Sequence, residues 1–114
     1  MNEENIKAVE SFLDAVRRKD LSLAPIADDL LFEDPISGKG VGAANFRAFL
    51  AGFLPALNEL RVVQHVADGE YVVTHWEADG VFGKIPILEK FRVRDRIIVE
   101  AVGFFDPRPI LGGS

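Results

Sequence analysis

The sequence predicts an α+β domain. Three N-terminal helical segments should pack on a strongly curved, mixed or antiparallel sheet that forms a cone with an interior pocket. Residues 1–57 carry apolar side chains mostly at helical spacing, whereas residues 60–105 form successive segments rich in valine, isoleucine and aromatic residues. Helices that precede a run of closely linked strands are typical of domains in which helices cover one face of an antiparallel sheet.

The helical half of the chain divides into three predicted segments. Apolar residues recur at helical spacing between positions 6 and 16, which predicts an amphipathic first helix. Asp20 is a candidate N-cap for a short second helix, Leu21 to Asp28, which either tolerates Pro25 near its start or is broken by it into turns. A broad apolar stripe predicts a third helix from Gly42 to Leu57, which Pro55 should end or kink.

The strands are predicted from short apolar runs and turn residues. Leu30 to Asp34 is a short strand that Pro35 ends, and the glycine-rich residues Ser37 to Gly40 are predicted to be a loop. Asp68-Gly69 is a typical hairpin turn. The remaining predicted strands cover residues 60–66, 71–78, 85–94 and 97–105.

The bulk composition limits the classes of function. The chain has 114 residues, 48% hydrophobic and 27% charged, which fits one domain over residues 1–111, with 112–114 as a flexible tail or an artificial addition. A net charge of −5 without a basic cluster argues against nucleic acid as a partner, and the lack of cysteine excludes disulfides and thiolate sites. The acidic N-terminal residues and the lack of a long apolar run predict a cytoplasmic protein without membrane contact.

Two carboxylates lie within apolar, strand-like runs. Asp34 ends the run that begins at Leu30, and alternation places Glu89 on the same strand face as Ile87 and Phe91. A carboxyl group on an apolar face loses hydration, so its pKa rises, and two such groups in one cavity can act as base and neutral acid. Two alternatives remain open: Asp34 only caps a turn, or a bulge directs Glu89 to the outer face.

The order and spacing of these features resemble a known family. The matching positions are Ala8 to Pro35 with its Phe32-Glu33-Asp34-Pro35 motif, a glycine-led helix at Gly42, and Glu89-Lys90-Phe91-Arg92. They resemble the ketosteroid isomerase and SnoaL-like branch of the NTF2-like (cystatin-like cone) superfamily. The resemblance implies that Asp34 is the base that moves a proton between two carbons. It also implies that Glu89 is a neutral acid that hydrogen-bonds the enolate oxygen, with no cofactor.

The sequence departs from the ketosteroid isomerase pattern at two positions. Phe12 and Leu50 occupy the places where that family carries tyrosines, one of which donates a hydrogen bond to the enolate oxygen. His75 or Tyr71 are candidates to replace the missing donor. The residues expected to line the pocket come from the helices and the strands: Phe12, Phe49, Phe53, Val73, His75, Phe91, Val102 and Phe104.

The same residues argue against two other kinds of site and predict a homodimer. The epoxide hydrolases of this superfamily use an Asp-Arg-Asp arrangement, and no arginine lies two residues before Glu77 or Asp79, which argues against epoxide hydration. No recognised ligand spacing predicts a metal site. Because both faces of the predicted strands 71–78 and 97–105 carry apolar residues, we expect a homodimer through the convex face of the sheet.

These observations predict a steroid isomerase-like or polyketide cyclase-like enzyme. It would transfer a proton on a small hydrophobic carbonyl compound, such as a steroid or a polyketide, without a cofactor. Two alternatives stay open. One is a non-catalytic module that binds a small ligand in the same pocket, and the other is a member of the fold whose sheet serves only in assembly.

Overall fold

The computed structural model describes residues 2–112. The helices there are α1 (Asn2–Arg18), α2 (Ala43–Phe53) and α3 (Arg108–Leu111), with two short 3-10 helices at Leu21–Leu23 and Leu54–Ala56. The strands are β1 (Ile26–Asp34), β2 (Gly38–Val41), β3 (Leu57–Asp68), β4 (Tyr71–Gly80), β5 (Gly83–Arg94) and β6 (Ile97–Phe104). Gly112 ends α3 with a φ of 75°, and the other two residues of the predicted tail lie outside the described residues.

The amphipathic helix α1 is confirmed. Its buried face includes Val9, Phe12, Leu13 and Val16, which pack on the sheet. Acidic residues occupy the first turn and basic residues occupy the last turn, so both ends suit the helix dipole. The helix thereby covers one face of the sheet, which we call the inner face.

The six strands form one mixed sheet in the order β2-β1-β6-β5-β4-β3. Strands β1 and β6 are parallel, and every other pair is antiparallel. Strands β2 and β3 lie at opposite edges of the sheet, so the chain between them, which carries α2, must cross the sheet. Helices α1 and α2 close the inner face, and the result is the predicted cone with an interior cavity.

Alternation along β5 assigns its side chains to the two faces as expected. Every second residue from Ile85 to Val93 is buried on the inner face, and Glu89 is one of them. Lys90, on the outer face, is exposed, and Leu88 is 48% exposed. Glu89 therefore faces the interior, and the alternative in which a bulge turns it outward is wrong.

A bulge in β6 changes the faces of its last residues. Val93 pairs with Ile98 and Arg92 pairs with Glu100, so one extra residue, Val99, separates the two pairs on β6. Ile98 and Ala101 are consequently both buried on the inner face. A single inserted residue inverts the alternation that follows it, because side chains on a strand repeat every two residues.

The segment between α1 and α2 differs from the prediction. Asp20 does cap a helix, since its side chain accepts a hydrogen bond from the backbone N–H of Ser22. The helix is only three residues long, however, and β1 already begins at Ile26, because Pro25 favours extended backbone around it. The predicted loop from Ser37 to Gly40 is partly strand β2, and a side chain at Gly40 would collide with the ring of Phe32 on β1.

Helix α2 is shorter than the predicted segment 42–57. It ends at Phe53, where Pro55 converts the following turn into a 3-10 helix before β3 begins.

Within residues 2–112, no helix is long and apolar enough to cross a membrane.

Candidate active site

A cavity of about 470 Å³ lies between the inner face of the sheet and the helices. Its deep end is lined by Phe12, Phe46 and Trp76, which are almost fully buried. Its mouth is lined by Phe53 and Phe82, whose rings stack with centroids 5.5 Å apart. Two further lining residues, Pro109 and Ile110, come from α3 at the end of the described chain. The volume is within the range of about 300–1,000 Å³ that is typical of small-molecule sites.

Asp34 and Glu89 line this cavity, and they are its only ionisable lining residues within the described chain. Asp34 ends β1, and its Oδ1 accepts hydrogen bonds from the backbone N–H groups of Ile36 (2.7 Å) and Ser37 (2.8 Å). The turn interpretation of Asp34 is therefore correct for one of its oxygens. The side chain still borders the cavity, so its Oδ2 can face a ligand while Oδ1 holds the carboxyl group in place.

Glu89 lies among apolar side chains and is 9% exposed. Its Oε1 accepts a hydrogen bond of 3.2 Å from Nε1 of Trp76, and no other partner of the carboxyl group is found within residues 2–112. Burial raises the pKa of Glu89 from 4.5 to about 7; the Trp76 hydrogen bond opposes this rise and the nearby Asp34 charge adds to it. A substantial share of Glu89 is therefore a neutral acid at neutral pH.

Gly103 of β6 lies between the two carboxyl-bearing strands. It pairs with Glu89 on β5, and a Cβ built on it would be 3.5 Å from the Cβ of Asp34 on β1. Neighbouring strands are about 4.8 Å apart, so the two carboxyl-bearing strands are separated by roughly 10 Å. Because Gly103 has no side chain, the space between the two carboxyl groups stays open.

Three of the eight residues predicted to line the pocket do so: Phe12, Phe49 and Phe53. Phe91 faces inward but is fully buried, packing edge-on against Phe12 with ring centroids 5.6 Å apart, so it belongs to the core beneath the cavity. Phe46, Trp76, Phe82 and Ile110 line the cavity although the sequence did not single them out as lining residues.

The other four predicted lining residues lie away from the cavity. The prediction is wrong for Val102 and Phe104, because the bulge in β6 turns them to the outer face, where Phe104 is 57% exposed. It is also wrong for Val73 and His75. On β4 the buried inner residues are Val72, Thr74, Trp76 and Ala78, so the alternate residues point outward.

The missing tyrosine is not replaced by the expected donors. Tyr71 lies on the outer face beside Lys90, whose Nζ is 4.8 Å from the centre of its ring, and His75 pairs with the exposed Leu88. Phe12 and Leu50 both line the cavity and bring no polar group to it. Trp76 therefore supplies the single side-chain N–H of the lining, which contains no hydroxyl group within residues 2–112.

The described residues contain no group of three or more histidine or carboxylate side chains that could hold a metal ion. The acidic site itself has only two such side chains, Asp34 and Glu89. These two carboxyl groups can accept a proton at one and donate a hydrogen bond from the other.

Several solved structures share the fold of this chain. Similar chains include an LEH-like epoxide hydrolase from M. tuberculosis (24% identity, TM-score 0.77, covering 98% of this chain and 90% of that one). A candidate ketosteroid isomerase from Kribbella flavida DSM 17836 has 18% identity and a TM-score of 0.80, with 92% and 79% covered. A candidate SnoaL-like polyketide cyclase from Jannaschia sp. CCS1 has 16% identity and a TM-score of 0.82, with 98% and 92% covered. At these identities the similarity establishes the fold and leaves the reaction open.

No curated protein matches the sequence significantly. The model of the SnoaL-like domain family matches residues 9–105, which covers α1 from Val9 onward and the whole sheet with both carboxyl-bearing strands. The chain therefore belongs to the SnoaL-like domain family, and it shares its fold with an NTF2-like protein of known structure.

Proposed function

We propose that this protein catalyses a cofactor-independent proton transfer on an uncharged, hydrophobic carbonyl compound. The observation that supports the proposal is one apolar cavity with two carboxyl groups in different environments. Asp34 is held by two backbone N–H groups, whereas Glu89 is buried and its pKa is raised to about 7. Two carboxyl groups whose environments differ in this way can serve as base and acid in the same reaction.

Each group has a defined part in the reaction. Asp34 removes a proton from the carbon next to the carbonyl group, and the electrons of the broken C–H bond move into the carbonyl group, which becomes an enolate. Neutral Glu89 donates a hydrogen bond to the enolate oxygen, where negative charge develops. If the substrate has a β,γ double bond, the intermediate is a dienolate, and protonated Asp34 returns its proton to the γ carbon while the carbonyl group re-forms and the double bond moves to the α,β position. Substrate and product are then isomers, and Asp34 is regenerated.

The lining of the cavity indicates the class of substrate. Within residues 2–112 no lysine or arginine borders it, so an anionic substrate would meet two carboxyl groups there and no positive charge. Glu89 is buried beside Trp76, whereas the mouth is lined by apolar rings, so the carbonyl end enters first and the hydrocarbon part fills the mouth. A compound with several fused rings, such as a steroid or a folded polyketide, fits this arrangement.

A non-catalytic ligand-binding role is the second candidate. It is favoured by Phe12 and Leu50, which leave the lining of the cavity without a tyrosine hydroxyl group at either position. Loss of one donor to an enolate oxygen typically lowers the rate by about 10²–10³. A purely structural role of the sheet is disfavoured, since the cavity has room for a compound with several rings.

Turnover of a β,γ-unsaturated 3-ketosteroid tests the proposal directly, because migration of the double bond into conjugation is visible in the ultraviolet. Asp34→Asn should lower kcat by about 10²-fold or more, since the amide cannot take the proton. Asp29→Asn is the matched control: Asp29 lies on the same strand, is exposed and does not border the cavity. Equal loss in both variants, or full activity in Asp34→Asn, would contradict the assignment of the base.

We also propose that the outer face of the sheet forms a homodimer. It carries exposed apolar residues, among them Leu31 (51% exposed), Leu88 and Phe104. Glu33 on β1 and Lys90 on β5 lie on the same face, and a twofold axis would bring such opposite charges together across a self-complementary interface. Light scattering after size-exclusion chromatography tests this, and a monomer at high protein concentration would refute it.

A further inference from the structure

Trp76 makes the only side-chain hydrogen bond to the buried acid that we find within residues 2–112. We infer that Trp76 is a positioning residue that keeps the acidic proton of Glu89 on Oε2, the oxygen left free for the substrate. The inference rests on the proposed function only for its catalytic consequence. The orientation of the proton can be tested without any turnover.

The placement of Trp76 follows from the sheet. Thr74 of β4 pairs with Glu89 on β5, and Trp76 is two residues further along the same face, so its ring is a diagonal neighbour of the carboxyl group. Trp76 is 6% exposed, and its Nε1 is 3.2 Å from Oε1 of Glu89. Trp76 and Glu89 both line the cavity, so the hydrogen bond is made at its wall.

The direction of the bond decides which oxygen carries the proton. A neutral carboxyl group has one carbonyl oxygen, which accepts, and one hydroxyl group, which donates. The indole N–H of Trp76 can only donate, so it favours the carbonyl oxygen, which is a much better acceptor than the oxygen of the O–H group. Oε1 of Glu89 is therefore the carbonyl oxygen, and the O–H is on Oε2. Without the indole N–H, the proton could occupy either oxygen, and only one of the two arrangements serves an enolate.

The same bond has a second effect, of the opposite sign. It lowers the pKa of Glu89, because an N–H donor also stabilises the carboxylate, while burial and the nearby Asp34 raise that pKa. Asp34 is the only other titratable group that lines the cavity within the described residues. Removing the N–H should thus increase the fraction of Glu89 that is neutral, while the proton of the neutral acid is no longer confined to Oε2. A residue that merely fills space would produce neither change.

The wild-type protein offers the first test, because the chain contains a single tryptophan and hence a single indole N–H signal. In ¹⁵N-edited NMR spectra that signal should keep the downfield shift of a hydrogen-bonded proton on both sides of the Glu89 transition near pH 7. In Glu89→Gln it should stay downfield and lose the pH dependence, since an amide retains the carbonyl oxygen and presents NH₂ to the cavity. A small upfield movement on protonation of Glu89 is expected, because a neutral carbonyl oxygen is a weaker acceptor than a carboxylate. A signal that moves to the position of an indole N–H without a hydrogen-bond partner would overturn the inference, because Oε1 would then carry the proton.

A second test uses Trp76→Phe and a saturated 3-ketosteroid labelled with ¹³C at the carbonyl carbon. In the wild type we expect one infrared carbonyl band at low frequency, shifted by the hydrogen bond from Oε2. In Trp76→Phe we expect a second band at higher frequency, a pKa of Glu89 above the wild-type value, and kcat lowered by about 10-fold, with KM less affected. An unchanged carbonyl band in the variant would refute the role of Trp76.

The two ideas fail separately. If the wild type shows the hydrogen-bonded indole and the single infrared band but does not isomerise the unsaturated ketone, the proposed reaction is wrong and the orientation of the proton stands. If the wild type isomerises the ketone but its indole signal loses its hydrogen-bonded shift when Glu89 is protonated, the reaction stands and Trp76 has no positioning role.

Discussion

The free energy of unfolding of Glu89→Gln, relative to that of the wild type, should increase as the pH rises. Burial raises the pKa of Glu89 from 4.5 to about 7, so the folded state holds this proton more tightly than the unfolded state does. The stability contributed by the neutral carboxyl group is complete below pH 4.5, falls between pH 4.5 and about 7, and is then constant at its lower value. At 1.36 kcal/mol per pKa unit, the rise corresponds to roughly 3 kcal/mol of unfolding free energy.

Urea denaturation of the wild type and Glu89→Gln at several pH values measures this difference. Other titrating groups are common to both proteins, so they cancel when the wild-type free energy of unfolding is subtracted from that of the variant. The difference should grow by roughly 3 kcal/mol in favour of the variant from pH 4.5 to about pH 8. A difference that is independent of pH, with equal m-values, would show that Glu89 does not titrate with a raised pKa, and the reasoning about the buried acid would fail.

Three other substitutions test the cavity and its support. Gly103→Ala places a methyl group 3.5 Å from the Cβ of Asp34 without backbone strain; it should leave the Tm nearly unchanged while lowering kcat/KM by about 10-fold in the ketone assay, as a small misplacement of reacting groups does. Gly40→Ala should instead cost about 1–3 kcal/mol of unfolding free energy in urea, since its Cβ would collide with the ring of Phe32. Phe12→Tyr adds a hydroxyl group at the wall of the cavity; if it reaches the enolate oxygen it should raise kcat by about 10-fold or more, and an unchanged kcat would show that it does not.

The position of Glu89 could be predicted because β5 alternates without interruption from Ile85 to Val93. Strict alternation gave the wrong face for Val102 and Phe104, because one extra residue in β6 inverts the order of inner and outer side chains. No residue type in β6 indicates from the sequence that a bulge is present. The alternation of residue types therefore predicts the sheet face of a side chain only up to the next bulge in the strand.

Strand β2 was missed for a different reason. Gly38 and Gly40 suggest a loop by composition, yet Gly40 lies in a strand where the ring of Phe32 leaves no room for a side chain. That requirement comes from tertiary contact between two strands and is absent from the local propensities. For the same reason, the bond from Trp76 to Glu89 could not be found from spacing, since it depends on the register between β4 and β5.

The stacked rings of Phe53 and Phe82 at the mouth of the cavity have a consequence for how this protein can evolve. They belong to the end of α2 and the turn between β4 and β5, whereas Asp34 and Glu89 belong to β1 and β5, each of which is paired with a strand on both sides. Substitutions at the two rings can therefore alter which molecules enter without moving either acid. New selectivity can arise at the entrance while the positions of the two carboxyl groups are inherited unchanged.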